Sequence, residues 1–230
     1  EDRIRELRLR LPWSSNARIT VLKGFTSRFR ERSEVMYSGM AHVIDSLFTC
    51  LDEGVALVVA PSYNMAKAVR AYVRSKPLFL EREDTRLNQV LEFMKNNKKL
   101  LLICVAWGKL VEGIELRNNG LSAIRIVILA GLPVPEPNIV NRRLASLLRD
   151  RVGSDDLAWR LVYMVPATIK VLQAVGRSIR SEYDKSLAAI LDERVLEPMV
   201  RSFIEGFGYR IEEIDDLDYL TRTCTEFLKN

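Results

Sequence analysis

The chain has 230 residues, 48% of them hydrophobic and 28% charged, with a net charge of +5 and a pI near 9.2. This composition is ordinary for a globular protein and far from a disordered one, no apolar run reaches the ~20 residues of a bilayer span, and the length fits one large or two small domains with a real core. Cys50, Cys104 and Cys224 are scattered and odd in number, so no disulfide framework or CxxC knuckle is expected; His42 lies opposite its helix's apolar stripe and reads as solvated.

The charge is uneven. Residues 1–32 hold nine Lys/Arg against four Asp/Glu, whereas residues 205–230 hold three against seven. A polyanion is expected near the former. With no membrane span and no signal peptide, the chain is expected to be intracellular, in cytoplasm or nucleoid, or in the nucleus of a eukaryote. Its start at Glu1 reads as a cut from a longer polypeptide.

Three segments are expected: a basic N-terminal arm over 1–18, a main domain over 19–204 and an acidic C-terminal extension over 205–230 that packs back as a helix. After the arm, Ile19–Leu22 is a short strand. The loop Thr26 to Arg32 follows, basic with one aromatic ring. It is either a plain surface loop or a holder of phosphodiester backbone. A helix is expected around 34–51, ended by Gly54. Val55–Ala60 has the continuous apolar character of a strand buried on both faces. Pro61-Ser62-Tyr63 comes next, with Asn64 as the expected cap of a helix to about Arg74. Further strands are expected at Pro77–Leu80, Leu100–Val105, Ala123–Leu129 and Leu187–Leu191. Helices are expected from Asp84 or Thr85, from Asn138 to Arg151, and from about Ala167. Beyond Pro198 the pattern is less regular.

Strands alternating with helices imply an α/β fold with a mostly parallel sheet and helices on both faces. Binding residues in such sheets gather at the carboxyl ends of strands. The polar and glycine- or proline-rich stretches do follow strands: Ser62-Tyr63, Gly108 to Glu115, Pro133 to Pro137, and Asp192 to Arg194.

One stretch, Gln173 to Arg180, organises the rest. If it is helical throughout, Gln173, Gly176, Arg177 and Arg180 share a face while Leu172, Val175 and Ile179 turn elsewhere. Two guanidinium groups at that spacing suit a polyphosphate; the alternative is a solvated basic face. Gly108-Lys109 and Glu112-Gly113-Ile114-Glu115 combine free backbone with two carboxylates, as a binding loop or as a structural turn. No GxxxxGK[ST] loop occurs, and no strand ends in an acidic pair suited to Mg²⁺. The chain thus has arginines for a γ-phosphate without a cradle for the nucleotide, which suggests half of a two-part ATPase.

Gln173-x-x-Gly176-Arg177-x-x-Arg180 resembles motif VI of superfamily 2 helicases. Gly108-Lys109-x-x-Glu112-Gly113-Ile114-Glu115 resembles motif V of the XPD/DinG-like branch. Pro61-Ser62-Tyr63, Gly131-Leu132-Pro133, Leu191-Asp192-Glu193-Arg194 and the Ser27-Arg28-Phe29 loop support the match, which covers roughly residues 20 to 200. The resemblance implies the second, RecA-like motor domain of an ATP-dependent DNA helicase. Its partner would be motor domain 1 of the same polypeptide, which holds ATP and Mg²⁺ and often an iron–sulphur cluster; this fragment alone is not expected to hydrolyse ATP.

By carry-over, Arg180 is the arginine finger, Arg177 a second phosphate contact and Gln173 a link to the interface. Gly108, Glu112, Gly113, Glu115 and Gly176 are nucleotide-side candidates. Ser27, Arg28, Ser62, Tyr63 and Lys109 are candidates for contact with single-stranded DNA. Repair or transcription partners stay unspecified. Two positions depart from the family. Glu115 stands where aspartate is usual, and Trp107 where a basic residue is common; that ring either stacks a base or packs under the loop. The alternative function is a degenerate, non-catalytic helicase half that binds DNA or scaffolds proteins.

Overall fold

The computed structural model describes residues 12–113 and 115–229, the side chain of Glu112 excepted. Most of the basic arm therefore lies outside the described residues, as does Ile114.

Seven strands form one wholly parallel sheet. They are β1 (Ala17–Leu22), β2 (Gly54–Ala60), β3 (Leu78–Leu80), β4 (Lys99–Val105), β7 (Ile124–Leu129), β8 (Ser186–Ile190) and β9 (Ile211–Ile214), in the order β3-β4-β2-β7-β8-β1-β9. Between β4 and β7 in sequence, β5 (Arg117–Asn118) and β6 (Leu121–Ser122) make a separate antiparallel hairpin. Its two-residue turn has positive φ at Asn119 and Gly120, as a type I′ hairpin requires.

Side-chain alternation along the strands divides the core in two. Val55, Leu57 and Val59 of β2 face one layer with Leu100, Leu102 and Cys104, whereas Ala56, Val58 and Ala60 face the other with Leu101 and Ile103. The first layer is covered by α3 (Leu87–Lys95), α4 (Lys109–Gly113), α7 (Val165–Gly176) and α8 (Pro198–Gly206). The second is covered by α1 (Glu34–Thr49), α2 (Tyr63–Tyr72) and α9 (Leu217–Lys229). This is the three-layer, RecA-like arrangement expected from the sequence. Two more helices, α5 (Ile139–Val152) and α6 (Asp155–Trp159), pack on each other beside the first layer, and α5 buries none of its residues.

Several local expectations change. Ser62, not Asn64, caps α2, because its hydroxyl accepts the Met65 N–H. Gly54 does not end α1, which stops at Thr49; it opens β2 at φ +98°, where the Ala123 carbonyl leaves no room for a Cβ. The helix before Gln173 starts well ahead of Ala167. A π-helical turn over Arg160–Met164 joins α6 to α7, and Pro166, which has no N–H to donate, follows that turn at the second position of α7. The stretch beyond Pro198 is more regular than its sequence suggests: β9 pairs in parallel with β1, and α9 packs on the second layer. His42 is exposed, as read from its helical angle.

Candidate nucleotide and nucleic-acid site

Every strand of a parallel sheet ends on the same edge, so the loops after β4, β2, β7, β8 and β1 stand in a row. The loop after β8 anchors that row. Asp192 is fully buried, and its Oδ2 accepts the Ser27 hydroxyl at 2.6 Å, the Ser27 N–H at 2.9 Å and the Leu132 N–H at 3.0 Å. Arg194 forks onto both carboxylate oxygens at 2.7 and 2.9 Å and donates to Ser27 Oγ at 2.8 Å. Burial opposes ionisation of Asp192, but Arg194, Ser27 and the Leu132 N–H outweigh it and hold the carboxyl below its usual range. Gly131 admits this contact: its φ is +104°, and a Cβ there would overlap the Ser27 side chain. Ser27, expected on the DNA side, is therefore a buried loop anchor.

The loop after β4 is held in a similar way. Glu81, at the end of β3, is buried and accepts the N–H groups of Val105 at 2.8 Å and Leu110 at 3.2 Å. Burial, the largest influence, raises its carboxyl above the usual range despite these bonds. Gly108 lies so close that an added Cβ would sit 2.6 Å from Glu81 Oε1. Its lack of a side chain thus makes room for Glu81. The Gly108–Glu115 stretch is not an open loop, because Lys109–Gly113 forms α4, which packs on α7.

The Gln173–Arg180 stretch is helical only to Gly176. Arg177 is the C-cap, and Arg180 lies beyond in a bend. Arg180 is placed instead by Asp184, a buried carboxylate that accepts the N–H groups of Arg180 and Ser181, each at 2.7 Å, and of Ser122 at 2.8 Å. Burial opposes ionisation of Asp184, and these three donors overcome it, leaving the group below its usual range. Ser178 ties the same turn to β8 through Ser186 Oγ at 2.6 Å. Gln173 and Arg180 are exposed, Arg177 is half-buried, and among the described residues nothing lies within 4 Å of where a Cβ on Gly176 would stand.

Glu115 joins this cluster. The Arg117 guanidinium at 2.6 Å, and then the charges of Arg180 and Arg177, hold the Glu115 carboxyl below its usual range. The stretches that read as motifs V and VI are joined directly: α4 packs on α7, and Ser122, paired with Arg117 in the hairpin, donates its hydroxyl to the Arg177 carbonyl at 3.3 Å. Arg117, Glu81, Asp184 and Lys170 are absent from the sequence expectations. The Asn119-Gly120 turn signal was available to place Arg117; nothing local marked the other three.

The DNA-side candidates do not share one cleft. Ser62 and Tyr63 line a cleft of about 300 Å³ with Trp107, Pro135 and Asn138. Lys109 lines another, of about 460 Å³, with Arg86 and Gly113. Arg28 lines a third, of about 430 Å³, beside the carboxylates of Glu31, Glu193 and Glu197. Glu112 contributes its backbone to α4, and its side chain lies outside the described set. Among the described residues no group of three or more His, Cys, Asp or Glu is placed to hold a metal ion.

Residues 46–206 match the family described as "Helicase C-terminal domain". The chain belongs to that family. It falls in the XPD/DinG-like branch, in agreement with the resemblance of its motifs. It is 33% identical over 190 residues to the ATP-dependent DNA helicase XPD of Sulfolobus acidocaldarius, covering 83% of this chain and 33% of the relative. It is 29% identical to a regulator of telomere elongation helicase 1 homolog of Drosophila willistoni, covering 73% of this chain and 18% of that one. A solved apo XPD structure superposes with a TM-score of 0.74 at 28% identity, covering 86% of this chain and 40% of that chain. This helicase domain thus spans a third or less of the curated relatives it matches.

Proposed function

We propose that this domain is the second motor half of an ATP-dependent helicase that moves on single-stranded DNA. The observation that carries the reading is the joining of the two arginine-bearing stretches: α4 packs on α7, and Ser122, the hairpin partner of Arg117, donates its hydroxyl to the Arg177 carbonyl at 3.3 Å, on a chain whose sequence holds no phosphate-cradling loop. ATP would be held mainly by a companion motor domain, together with its Mg²⁺. The phosphate end of the nucleotide fits the exposed side of Gln173, Gly176 and Arg180, where the described residues leave open space.

In this mechanism Arg180 reaches across the cleft to the γ-phosphate as charge builds on the transferred phosphoryl group, with Arg177 behind it. Because Asp184 fixes the Arg180 backbone, the guanidinium swings from a rigid base. An arginine finger in GTPases is worth ~10³–10⁵ in rate. Glu115 answers to the same arginines and sits beside the loop after β4, so a change in their engagement passes towards the strand-end row. Closing and reopening of the cleft then shifts the DNA-side loops relative to the companion domain. Alone, this domain hydrolyses no ATP.

The test is DNA-stimulated ATP hydrolysis by the intact parent protein carrying Arg180→Ala. Turnover should fall at least ~10³-fold. Turnover near that of the unaltered protein would sink the finger assignment.

A further inference from the structure

Trp107 sits at the carboxyl end of β4, 45% exposed, with its ring plane fixed from two sides. Its indole N–H donates to the Pro133 carbonyl at 3.2 Å, and the Lys170 ammonium lies 4.6 Å from the ring centroid. Lys170 rises from α7 and is itself only 6% exposed, so its charge is set against the ring at reduced screening. The rest of the ring lines the cleft of about 300 Å³, with Tyr63, Val134 and Pro135 as its other apolar walls. A large ring locked in orientation and left open on a cleft is a platform rather than core filler.

The polar rim of that cleft suits a phosphodiester. Ser62 and Asn138 both line it, and each caps a helix, α2 and α5, of ten and fourteen residues. Both first turns therefore add positive potential beside the ring. Glu136 is the one acid among the lining residues, whereas the cleft at Arg28 carries three carboxylates.

We propose that Trp107 is a base-stacking residue: one nucleobase of single-stranded DNA lies on its ring inside this cleft, with Tyr63 and Pro135 as the side walls. The inference rests on the DNA reading given above and adds the subsite and the contact. Lys170 is a positioning residue that holds the ring from behind. Since every base has a π-face, the subsite tolerates any sequence.

The full chain is titrated with an end-labelled oligothymidylate and followed by anisotropy at several salt concentrations. Trp107→Ala should weaken binding roughly 5- to 150-fold, the range for loss of one base stack. The slope of log K against log salt should stay unchanged, because a ring contact releases no counterions. Trp107→Phe should keep most of the affinity. In a chain carrying Trp13→Phe and Trp159→Phe, Trp107 is the one remaining tryptophan of three, and oligothymidylate should quench its emission. That second measurement decides the matter if the alanine variant folds poorly. Unchanged affinity of Trp107→Ala, or unquenched emission in a complex that forms, overturns the stacking and leaves the DNA reading standing. Failure of the unaltered chain to bind any single-stranded DNA overturns both.

Discussion

The Asp192 carboxylate accepts the Ser27 hydroxyl at 2.6 Å across 165 residues of sequence, and that bond joins the loop after β1 to the loop after β8. Arg194 closes the triangle, bonding both partners. The strand-end row on which the proposed DNA contacts stand is thus stapled from inside by one buried charge pair.

Removing the staple should be costly. Asp192→Ala leaves Arg194 without its carboxylate in a site where Arg194 has a side-chain exposure of only 13%. Breaking a buried pair costs ~3–5 kcal/mol. For a domain of this size that is a Tm fall of roughly 6–20 °C, read by thermal unfolding. Because the folded Asp192 carboxyl titrates below its usual range, its contribution is present above about pH 4 and is lost as pH falls through the folded value. The Tm gap between variant and unaltered chain should therefore narrow on acidification.

Two glycines should respond in opposite ways to alanine. Gly131→Ala puts a Cβ into the Ser27 side chain at a φ of +104° and should destabilise by at least ~2 kcal/mol. Gly176→Ala meets nothing within 4 Å and should fold as well as the unaltered chain. Under the proposed function the same Gly176→Ala should lower ATP turnover of the intact parent protein, because the added Cβ would enter the space proposed for the nucleotide. Denaturant melts and ATPase rates separate the two effects.

Glu81 gives the reverse pH signature. Burial raises its folded pKa, so the folded chain binds more protons than the unfolded chain just above the ordinary glutamate value of about 4.3. Its contribution is therefore greatest below that value and declines as pH rises through the folded pKa. Glu81→Gln loses one N–H acceptor, costing ~1–3 kcal/mol, and cannot titrate. The stability gap to the unaltered chain should shrink from pH 4 to pH 7; a gap that widens would reverse the assignment.

Asp184→Asn replaces one of the two oxygens that receive backbone N–H groups at the Arg180 turn. Arg180 then loses its fixed base. Misplacement by ~1 Å costs ~10²-fold in rate, so kcat of the intact helicase should fall by about that factor. KM for ATP and affinity for single-stranded DNA should stay near their original values.

The strands were the most legible part of the sequence. Val55–Ala60 and Leu100–Val105 are unbroken apolar runs, and a strand buried on both faces leaves no polar residue to confuse its limits. Ile211–Ile214 was not legible: its Glu212 and Glu213 pair with Arg18 and Arg201, partners remote or across a turn. The helical reading of Gln173–Arg180 erred for a similar reason. Helical spacing predicts one face, but Asp184, four residues past Arg180, captures the backbone and bends it away. Tertiary hydrogen bonds to buried carboxylates, at Glu81, Asp184 and Asp192, shape the candidate site, and no local pattern announces them.

Strand β1 has a history that its position conceals. It is the first of the described strands to be synthesised, yet its neighbours β8 and β9 begin at residues 186 and 211. Until then its backbone N–H and C=O groups have no sheet partner, while β2, β4 and β7 can already assemble from nearer segments. Pairings that wait for distant sequence form slowly and expose strand edges meanwhile. The loop that carries Ser27 hangs from that late strand, so the row of strand-end loops proposed to face DNA is completed only when most of this chain has emerged.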